Sequence, residues 1–445
     1  MWNGGVFDAV LPLYNIWAVF VASKERGIGV GGVPKDTAFG LYRDGIELRG
    51  IYPSKPEIAR TVCKATGPSG CDYPSLIAND PYYGGLGGEF TIGTSSHTTG
   101  TLVLRHEFGH TMINVGEEYD GGEVYSGCNA ARKLEKVGWK KWLTAGEDAV
   151  LNEKRDVLLV QDYSWYNLAN GPYILNFTND GLFDRWCLLI SVSGVESADS
   201  LQVFLDGTPL NWTTRGLLDR QFYDWYDNLN GFAKGPHYLE FRQGFPPTNN
   251  SHPIRQLCSV SLHEYAAESQ YHFDPNFIGA FPTYSSSGWK TYRPTHELCL
   301  MRNMSSQTFC PVCKEGLLLQ LMRQVSLIDG IETKCTQQPQ SQKIELEVEE
   351  PPNNNMYIAK LNLVPFAHMR EPGKRVKDEH FVINWFKNGK EQGEFDGLEE
   401  ILLNENEMQS GDWTVRVELQ TPIVRHDPDQ LLVSQERIVH EFSNN

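Results

Sequence analysis

The sequence has little positive charge, few cysteines and no long apolar run. Its 445 residues contain 39 Lys and Arg against 56 Asp and Glu, which gives a formal net charge of −17. Because so acidic a surface repels phosphate backbones, we expect no nucleic-acid partner. No apolar run approaches the ~18 residues that a membrane helix requires, so we expect no membrane span. The remaining composition, 40% hydrophobic and 21% charged, is typical of a globular protein that is long enough for several cores.

The chain carries signs of an oxidising, extracellular setting. Its nine cysteines are an odd number, so at least one thiol is unpaired. Four Asn-x-Ser/Thr triplets, which accept glycans in secreted proteins, begin at Asn176, Asn211, Asn249 and Asn303. The first ten residues, MWNGGVFDAV, lack the basic and apolar regions of a signal peptide. We therefore expect a secreted glycoprotein whose sequence here starts inside a longer precursor.

The pattern of elements predicts an α+β protein in four segments. Residues 1–150 alternate strand and helix signals, and residues 151–258 read as an inserted all-β module of short strands. Residues 259–335 are mixed and include an apolar helix. Residues 336–445 begin with a polar, Pro- and Asn-rich linker and continue with alternating strands, which predicts a C-terminal β-sandwich.

Three local patterns give specific predictions within the first segment. The dense apolar run Ile16–Ala22 is typical of a buried strand. Ser54 and Glu57 have the spacing of a capping box, which predicts a helix that runs to about Lys64. A further helical stretch is expected over Ala130–Leu143.

The segment with the clearest chemistry is an HExxH motif on the predicted helix Thr101–Ile113. His106 and His110 lie one helical turn apart on the same face, so both imidazoles can bind one Zn²⁺. Glu107 points to the adjacent face, where it can act as general base. The helix is apolar nearly all round, which makes these polar groups costly to bury without a metal. Gly109 is unfavourable inside a helix and suggests that another group packs closely there.

A catalytic zinc needs a third protein ligand, and the nearest acids are Glu117 and Glu118. If the helix continued unbroken, Glu117 would lie about 16 Å along the axis from His106, too far to share a metal. The chain must therefore turn back after the helix, and Asn114 and Gly116 are suitable residues for the break. We take Glu117 as the expected ligand, with Glu118 as the alternative.

At this point the sequence resembles a family. HEFGHTMINVGEEYDGG is similar to the zinc signature of the immunoglobulin-A-peptidase family of metallopeptidases. Four other stretches resemble that family in the same order: PLYNIWAVFVAS, NDPYYGGLGGEF, YSGCNAARKLEKVGWKKWL and RPTHELCLMRNMSSQTFCPVC. The resemblance implies a zincin-like catalytic domain that holds one zinc ion.

By the same resemblance, His106 and His110 carry over as metal ligands, Glu107 as general base, and Glu117 or Glu118 as the third ligand. This sequence departs from the family's pattern at Glu117, where the family more usually has Asp. The expected β module between the zinc-motif segment and the later segment RPTHELCLMRNMSSQTFCPVC is also long.

Met301, in the segment CLMR, could form the hydrophobic floor that a methionine turn gives related zincins, or could be plain core packing. Tyr119 and His296 are candidates for an electrophile that stabilises the tetrahedral intermediate, and both could equally be structural. Tyr82 and Tyr83, beside a glycine-rich stretch, are candidates to line a substrate cleft.

The remaining cysteines suggest crosslinks. Cys63 and Cys71 flank a short Gly/Pro loop and could close a local bridge. The four later cysteines predict disulfides among themselves, with a structural zinc site or free thiols as alternatives; they are Cys299, Cys310, Cys313 and Cys335.

Together these observations predict a zinc-dependent endopeptidase that hydrolyses peptide bonds of a protein or peptide substrate by a zinc-activated water, with Glu107 as general base. One alternative is a retired zincin scaffold that acts as an extracellular protein- or glycan-binding module. Another is a zinc hydrolase with a non-peptide substrate, because HExxH prescribes an activated water and not the acyl group.

Overall fold

The computed structural model of the protein describes residues 7–123, 125–149, 151, 156–245, 253–337 and 355–438. It contains 16% helix and 33% strand in several sheets, which confirms the α+β class. The chain divides into two compact units, one formed by residues 15–316 and the other by residues 7–14 together with the chain from residue 317 onward. Within the described part of the chain, no helix has the length and apolarity to cross a bilayer.

The first unit begins with short strands around the helix that carries His106 and Glu107, which is called the zinc-motif helix below. Its elements are β1 (Leu41–Tyr42), β2 (Tyr52–Pro53), α1 (Pro56–Ala65), β3 (Ser75–Ala78), β4 (Thr91–Thr94) and α2 (Gly100–Phe108). Strands β1 and β2 pair antiparallel, and β3 and β4 pair parallel. Buried apolar residues such as Leu76 and Ile92 form the core of this part.

Nine strands follow in the described part of residues 156–265. They are β5 (Asp156–Asp162), β6 (Tyr166–Asn167), β7 (Tyr173–Asn179), β8 (Arg185–Ser193), β9 (Leu201–Leu205), β10 (Thr208–Pro209), β11 (Gln221–Asp227), β12 (Gly235–Gln243) and β13 (Gln256–Tyr265). One sheet has the order β10-β9-β12-β7, and the other has the order β11-β8-β13-β5 with β6 beside β13. Side chains from both sheets, including Leu188 and Phe241, share one apolar core.

The first unit then adds the hairpin of β14 (Phe281–Tyr284) and β15 (Lys290–Arg293). Helix α3 (Pro311–Met322) follows, and the division between the two units falls within it, after Gly316. The second unit contains two antiparallel sheets, in the orders β16-β17-β20 and β19-β18-β21-β22. Its elements are β16 (Ile328–Gln337), β17 (Asn355–Leu363), β18 (His380–Lys387), β19 (Lys390–Glu391), β20 (Glu400–Asn404), α4 (Glu405–Gln409), β21 (Trp413–Gln420) and β22 (Val433–Arg437). Most of the expected linker lies outside the described residues.

The prediction of a buried strand over Ile16–Ala22 is wrong. The segment has no regular secondary structure, and Trp17 and Phe20 are 68% and 90% exposed. A strand needs a pairing partner as well as apolar side chains, and this run finds none among the described strands.

Two helix predictions also need correction. Helix α1 forms, but its N-cap is Lys55, without a side-chain cap, because Pro56 occupies the first helical position. The expected helix over Ala130–Leu143 is only two single 3₁₀ turns, since Ala131 pairs with Tyr292 instead and Gly138 separates the turns.

Candidate functional site

The zinc-motif helix ends where the spacing argument requires a break. Helix α2 continues past Phe108 as a single π turn, Gly109–Ile113, and Asn114 then takes a left-handed conformation with φ 55°. Asn tolerates this conformation better than most residues, so it can end the helix and reverse the chain. The reversal brings the following acidic pair back towards the histidines.

The structure brings Glu117 to both histidines. Its carboxylate oxygens lie 3.2 Å from Nε2 of His106 and 3.1 Å from Nε2 of His110. Ligands about 2.0–2.1 Å from a tetrahedral zinc ion stand about 3.4 Å apart, so each of these two nitrogen–oxygen separations is close to that of two ligands of one ion. The residues form one of two groups in the described chain whose ligand atoms converge closely enough for a metal.

The other ring nitrogens fix the orientation of the two histidines. Nδ1 of His106 lies 3.2 Å from the carbonyl oxygen of Leu300, and Nδ1 of His110 lies 2.9 Å from that of Val115. When each Nδ1–H donates to its carbonyl, each Nε2 presents a lone pair to the shared position. This arrangement of backbone acceptors behind metal-binding histidines is the usual one, so the residues fit a zinc ion.

The pKa values of these side chains also reflect this convergence. Burial by itself lowers the pKa of His106, but the Glu117 carboxylate outweighs burial and raises the pKa to about 9. Burial raises the pKa of Glu117, but the two histidines outweigh it and lower the pKa to about 2. A positive charge is therefore favoured between these side chains, which is what a bound cation supplies.

Glu107 lies against the glycine-rich stretch that precedes β4. A Cβ atom on Gly87 would stand 3.1 Å from Oε2 of Glu107, and one on Gly85 would stand 2.4 Å from Val103. Only glycine therefore allows this backbone to approach the helix so closely. Burial raises the pKa of Glu107, while the two neighbouring histidines oppose the rise. A raised pKa suits a general base that works near neutral pH.

Glu118 points away from the histidines. Its Oε1 accepts a 2.8 Å hydrogen bond from the side-chain amide of Asn129, which also bonds both backbone groups of Gly116. The second converging group consists of Glu118 with Cys299, Cys310 and Cys313. Sequence reasoning missed the part of Asn129, which holds the turn that presents Glu117.

Met301 packs against the zinc-motif helix at Gly109, a contact that both the methionine-floor hypothesis and plain core packing allow. It is fully buried, and its Sδ lies 2.9 Å from where a Cβ atom on Gly109 would stand. Phe309 and Val115 lie 3.2 and 3.3 Å from the same point. These side chains are therefore the closely packed groups that a glycine inside the helix suggested.

We expect Gly109→Ala to destabilise the protein by about 1–3 kcal/mol, because the added methyl meets a packed core. This outweighs the ~1 kcal/mol by which Ala improves a helix interior. Denaturant unfolding of the variant measures the difference. Gly138→Ala is the matched control, because nothing lies within 4 Å of its Cβ position. A Gly109→Ala protein that is more stable than the wild type would contradict this packing.

The two proposed electrophiles have different surroundings. The ring of Tyr119 lies beside that of His106, with centroids 6.3 Å apart. His296 instead stacks on Phe273 at 4.6 Å within an aromatic cluster, and its Nδ1 lies 3.1 Å from the hydroxyl of Tyr271. Tyr119 therefore stays a candidate, and the contacts of His296 fit the structural alternative.

Asp219, just before β11, connects three parts of the site, and no local sequence pattern marks this role. Its carboxylate accepts hydrogen bonds from the backbone of Tyr83 and from the hydroxyls of Ser96 and Thr99, the latter two at 2.8 Å. Thr99 is the N-cap of α2. The next residue, Arg220, lies over the Tyr83 ring at 4.9 Å. The inserted strands therefore hold the glycine-rich stretch against the zinc-motif helix.

We expect Asp219→Asn to lower the rate of catalysis by about 10–100-fold while zinc content is unchanged, because misplacement of about 1 Å has effects of this size. The measurement is kcat and KM with zinc content on the same samples. Asp199→Asn, an exposed carboxylate on the same module, is the control. Loss of zinc together with activity would show that Asp219 supports the fold rather than positions the glycine-rich stretch.

Asp120, which follows Tyr119 in the chain, belongs to a buried charge network. Its carboxylate lies 2.8 Å from Nε2 of His263 and accepts a 2.6 Å bond from Arg302. Nδ1 of His263 lies 3.1 Å from Asp156. Burial lowers the pKa of His263, but the two aspartates outweigh burial and raise it to about 9.

This network predicts a pH-dependent stability. The pKa of His263 is near 6.5 when unfolded, so its contribution is complete below pH ~6.5 and disappears as pH rises through about 9. We expect the zinc-loaded protein to lose a few kcal/mol of unfolding free energy across this window. Denaturant unfolding at several pH values measures the slope. His263→Gln should flatten it, and the control His97→Gln, at an exposed histidine, should not.

Comparison with known proteins bears on the first part of the chain. Residues 7–158 match the sequence profile of a family described as IgA Peptidase M64. A search of curated proteins gives no match.

Solved structures give only weak similarity. A ruminal GH26 endo-beta-1,4-mannanase is 15% identical, with 33% of this chain and 27% of that chain covered and a TM-score of 0.17. A GH2 beta-galacturonidase from Eisenbergiella tayi is 9% identical, with 60% and 34% covered and a TM-score of 0.15. A beta-D-glucuronidase from Dictyoglomus thermophilum is 7% identical, with 64% and 44% covered and a TM-score of 0.16. The aligned parts are less than half of each of these chains, and the likeness is too low to inform fold or function.

The profile match includes the whole HExxH segment and the acidic pair that follows it. It thereby confirms, for residues 7–158, the resemblance to the IgA-peptidase family of metallopeptidases.

Proposed function

We propose that this protein is a zinc-dependent endopeptidase with His106, His110 and Glu117 as the three metal ligands. The observation that carries the proposal is the convergence of their ligand atoms at 3.1–3.2 Å, while both Nδ1 atoms are directed to backbone carbonyls. Glu117 is preferred to Glu118 as third ligand because only Glu117 contacts the histidines. The profile match to a peptidase family supports peptide bonds as the substrate.

A zinc ion bound there would supply a Lewis acid that polarises the scissile carbonyl and lowers the pKa of water. Glu107 accepts the proton of the attacking water and passes it to the leaving amine. Its place against Gly85 and Gly87 puts this carboxylate beside the stretch along which we propose the substrate lies in extended form. The buried Met301 supports the helix from below.

The proposed architecture is a zincin-like catalytic domain made of residues 1–150 and 259–335. Residues 151–258 form the inserted β module, and residues 336–445 form the linker and a C-terminal β-sandwich. We also propose secretion. The disulfide Cys63–Cys71 supports it, because such bonds persist in oxidising compartments.

Chelation and restoration test the proposal. The protein as isolated should cleave an unfolded protein such as casein, lose that activity in a chelator, and regain it when zinc is added back. Cleavage that persists in the metal-free protein would contradict a zinc peptidase. Zinc binding without any turnover would favour the alternative of a retired scaffold that binds proteins or glycans.

A further inference from the structure

The four-residue group around Glu118 is a cluster of buried side chains with no role in the proposed peptidase chemistry. Cys299, Cys310 and Cys313 are fully buried, and Glu118 is 1% exposed. The ligand atoms of all four residues lie within 4.8 Å of one another. The prediction of disulfides among the later cysteines is wrong, because these three thiols are free and Cys335 is an exposed free thiol in the other unit.

Two separations within this group match those of a tetrahedral metal site. Sγ of Cys299 lies 3.7 Å from Sγ of Cys313, which lies 3.6 Å from Oε1 of Glu118. Two sulfurs at about 2.3 Å from a tetrahedral zinc ion stand about 3.8 Å apart, and a sulfur and a carboxylate oxygen stand about 3.6 Å apart. As neutral thiols, Cys299 and Cys313 donate S–H hydrogen bonds over the same two separations, so a bound ion would replace these bonds without moving the side chains apart.

Polar groups around the cluster are arranged for negative ligands. Oε2 of Glu118 is buried and has no hydrogen-bond partner in the described chain, although Asn129 holds Oε1. The backbone N–H of Cys310 donates to Sγ of Cys299 at 3.3 Å, which favours a thiolate acceptor. Cys310 directly precedes α3, and the positive end of that helix favours negative charge. When these groups ionise together as ligands, the buried carboxylate and thiolates need a cation to balance their charge.

We propose that Cys299, Cys310, Cys313 and Glu118 bind a second zinc ion, which is structural. Three thiolates select a soft divalent ion such as zinc over magnesium or calcium. Four protein ligands leave no open position for water or substrate, which distinguishes this closed site from the three-ligand site at His106. The motif Cys310-Pro311-Val312-Cys313 supplies two ligands across the start of α3, and Cys299 and Glu118 come from separate loops.

The second ion would hold the first site in shape. The backbone N–H of Glu118 donates to the carbonyl of Met301 at 3.0 Å, and the carbonyl of Leu300 faces Nδ1 of His106 at 3.2 Å. Glu118 also adjoins Glu117 in the chain. A metal that joins Glu118 to Cys299 therefore fixes both the loop behind His106 and the turn that presents Glu117.

Cobalt spectroscopy of a His110→Ala variant tests this inference without any measurement of peptidase activity. With the first site disabled, we expect about one equivalent of Co²⁺ to bind tightly and to produce an intense thiolate-to-cobalt charge-transfer band in the near ultraviolet. Absence of that band in the folded variant would overturn the second site. If the protein is not a peptidase but does bind the second ion, the band remains unchanged.

Thiol protection and substitution complete the test. In the zinc-loaded wild type, Cys299, Cys310 and Cys313 should resist alkylation until a chelator is added, as mass spectrometry of tryptic peptides would show. Cys313→Ser should lose the cobalt band, and Cys258→Ser, a buried free thiol outside the cluster, should keep it. If Cys313→Ser does not fold, Glu118→Gln serves instead, with cobalt affinity expected to fall at least about 10-fold. Equal alkylation with and without chelator, or a disulfide between any two of the three cysteines, would overturn the proposal.

Discussion

Glu107→Gln should lower the rate of peptide hydrolysis by about 10²–10⁴-fold while the protein keeps its full zinc content. Glutamine fills the same space beside Gly87 but cannot accept the proton of the attacking water. Glu107 is not among the three side chains whose ligand atoms converge, so we expect the variant to bind zinc as the wild type does. Initial rates on a quenched peptide, with zinc measured on the same sample, give both quantities.

The matched control for this change is Glu123→Gln, which alters an exposed carboxylate close to the same signature and should be silent. Activity of Glu107→Gln within a factor of about three of wild type would remove Glu107 from the role of general base. Loss of zinc from Glu107→Gln would show instead that it is a ligand.

Glu117→Gln should weaken zinc binding at the histidine site by more than about 100-fold, because even indirect partners of a metal are worth about 10–100-fold. The amide retains the shape of the side chain, but it removes the charge that faces His106 and His110 at 3.1–3.2 Å. Activity measured against buffered free zinc gives the midpoint for this site.

Glu118→Gln is the matched control for Glu117→Gln, because it makes the same change at the neighbouring glutamate. Its carboxylate faces Asn129 and the cysteines, so the midpoint in free zinc should shift only by the amount expected of an indirect partner, about 10-fold, and by less than in Glu117→Gln. A larger shift for Glu118→Gln than for Glu117→Gln would reverse the assignment of the third ligand.

The sequence identified the centre of the site because its chemistry is local. His106, Glu107 and His110 share one helix, so helical spacing alone places them on neighbouring faces. The break at Asn114 followed from the distance that an unbroken helix would impose, and Asn114 does adopt the left-handed conformation that a reversal requires. Gly109 signalled a close packing partner that the structure identifies as Met301.

The choice between Glu117 and Glu118 was beyond sequence reasoning for a simple reason. In a stretch without helical structure, adjacent side chains point to opposite sides, so one acid reaches the histidines and the other reaches the cysteines. Which one does so depends on where the turn is anchored. Asn129 anchors it through Gly116, and nothing in the local sequence marks that contact.

Elements that depend on distant partners were the least predictable. Ile16–Ala22 has the composition of a strand, but composition supplies no neighbouring strand. The stretch at residues 130–143 has helical periodicity, but Ala131 pairs with Tyr292 and the Trp139 side chain bonds the carbonyl of Gly279. Asp219 lies more than a hundred residues after the loop and helix that it connects, so its role appears only in the folded chain.

Mass spectrometry of cleaved peptides is the sharpest test of whether this chain is a zinc peptidase. A proteome-derived peptide library is incubated with zinc-restored wild type, with metal-free wild type, and with Glu107→Gln. We expect new internal peptide termini with the zinc-restored wild type and a near-complete loss of them in the other two samples. The same termini in all three samples, or none in any, would contradict the assignment of this chain as a zinc peptidase that uses Glu107 as its base.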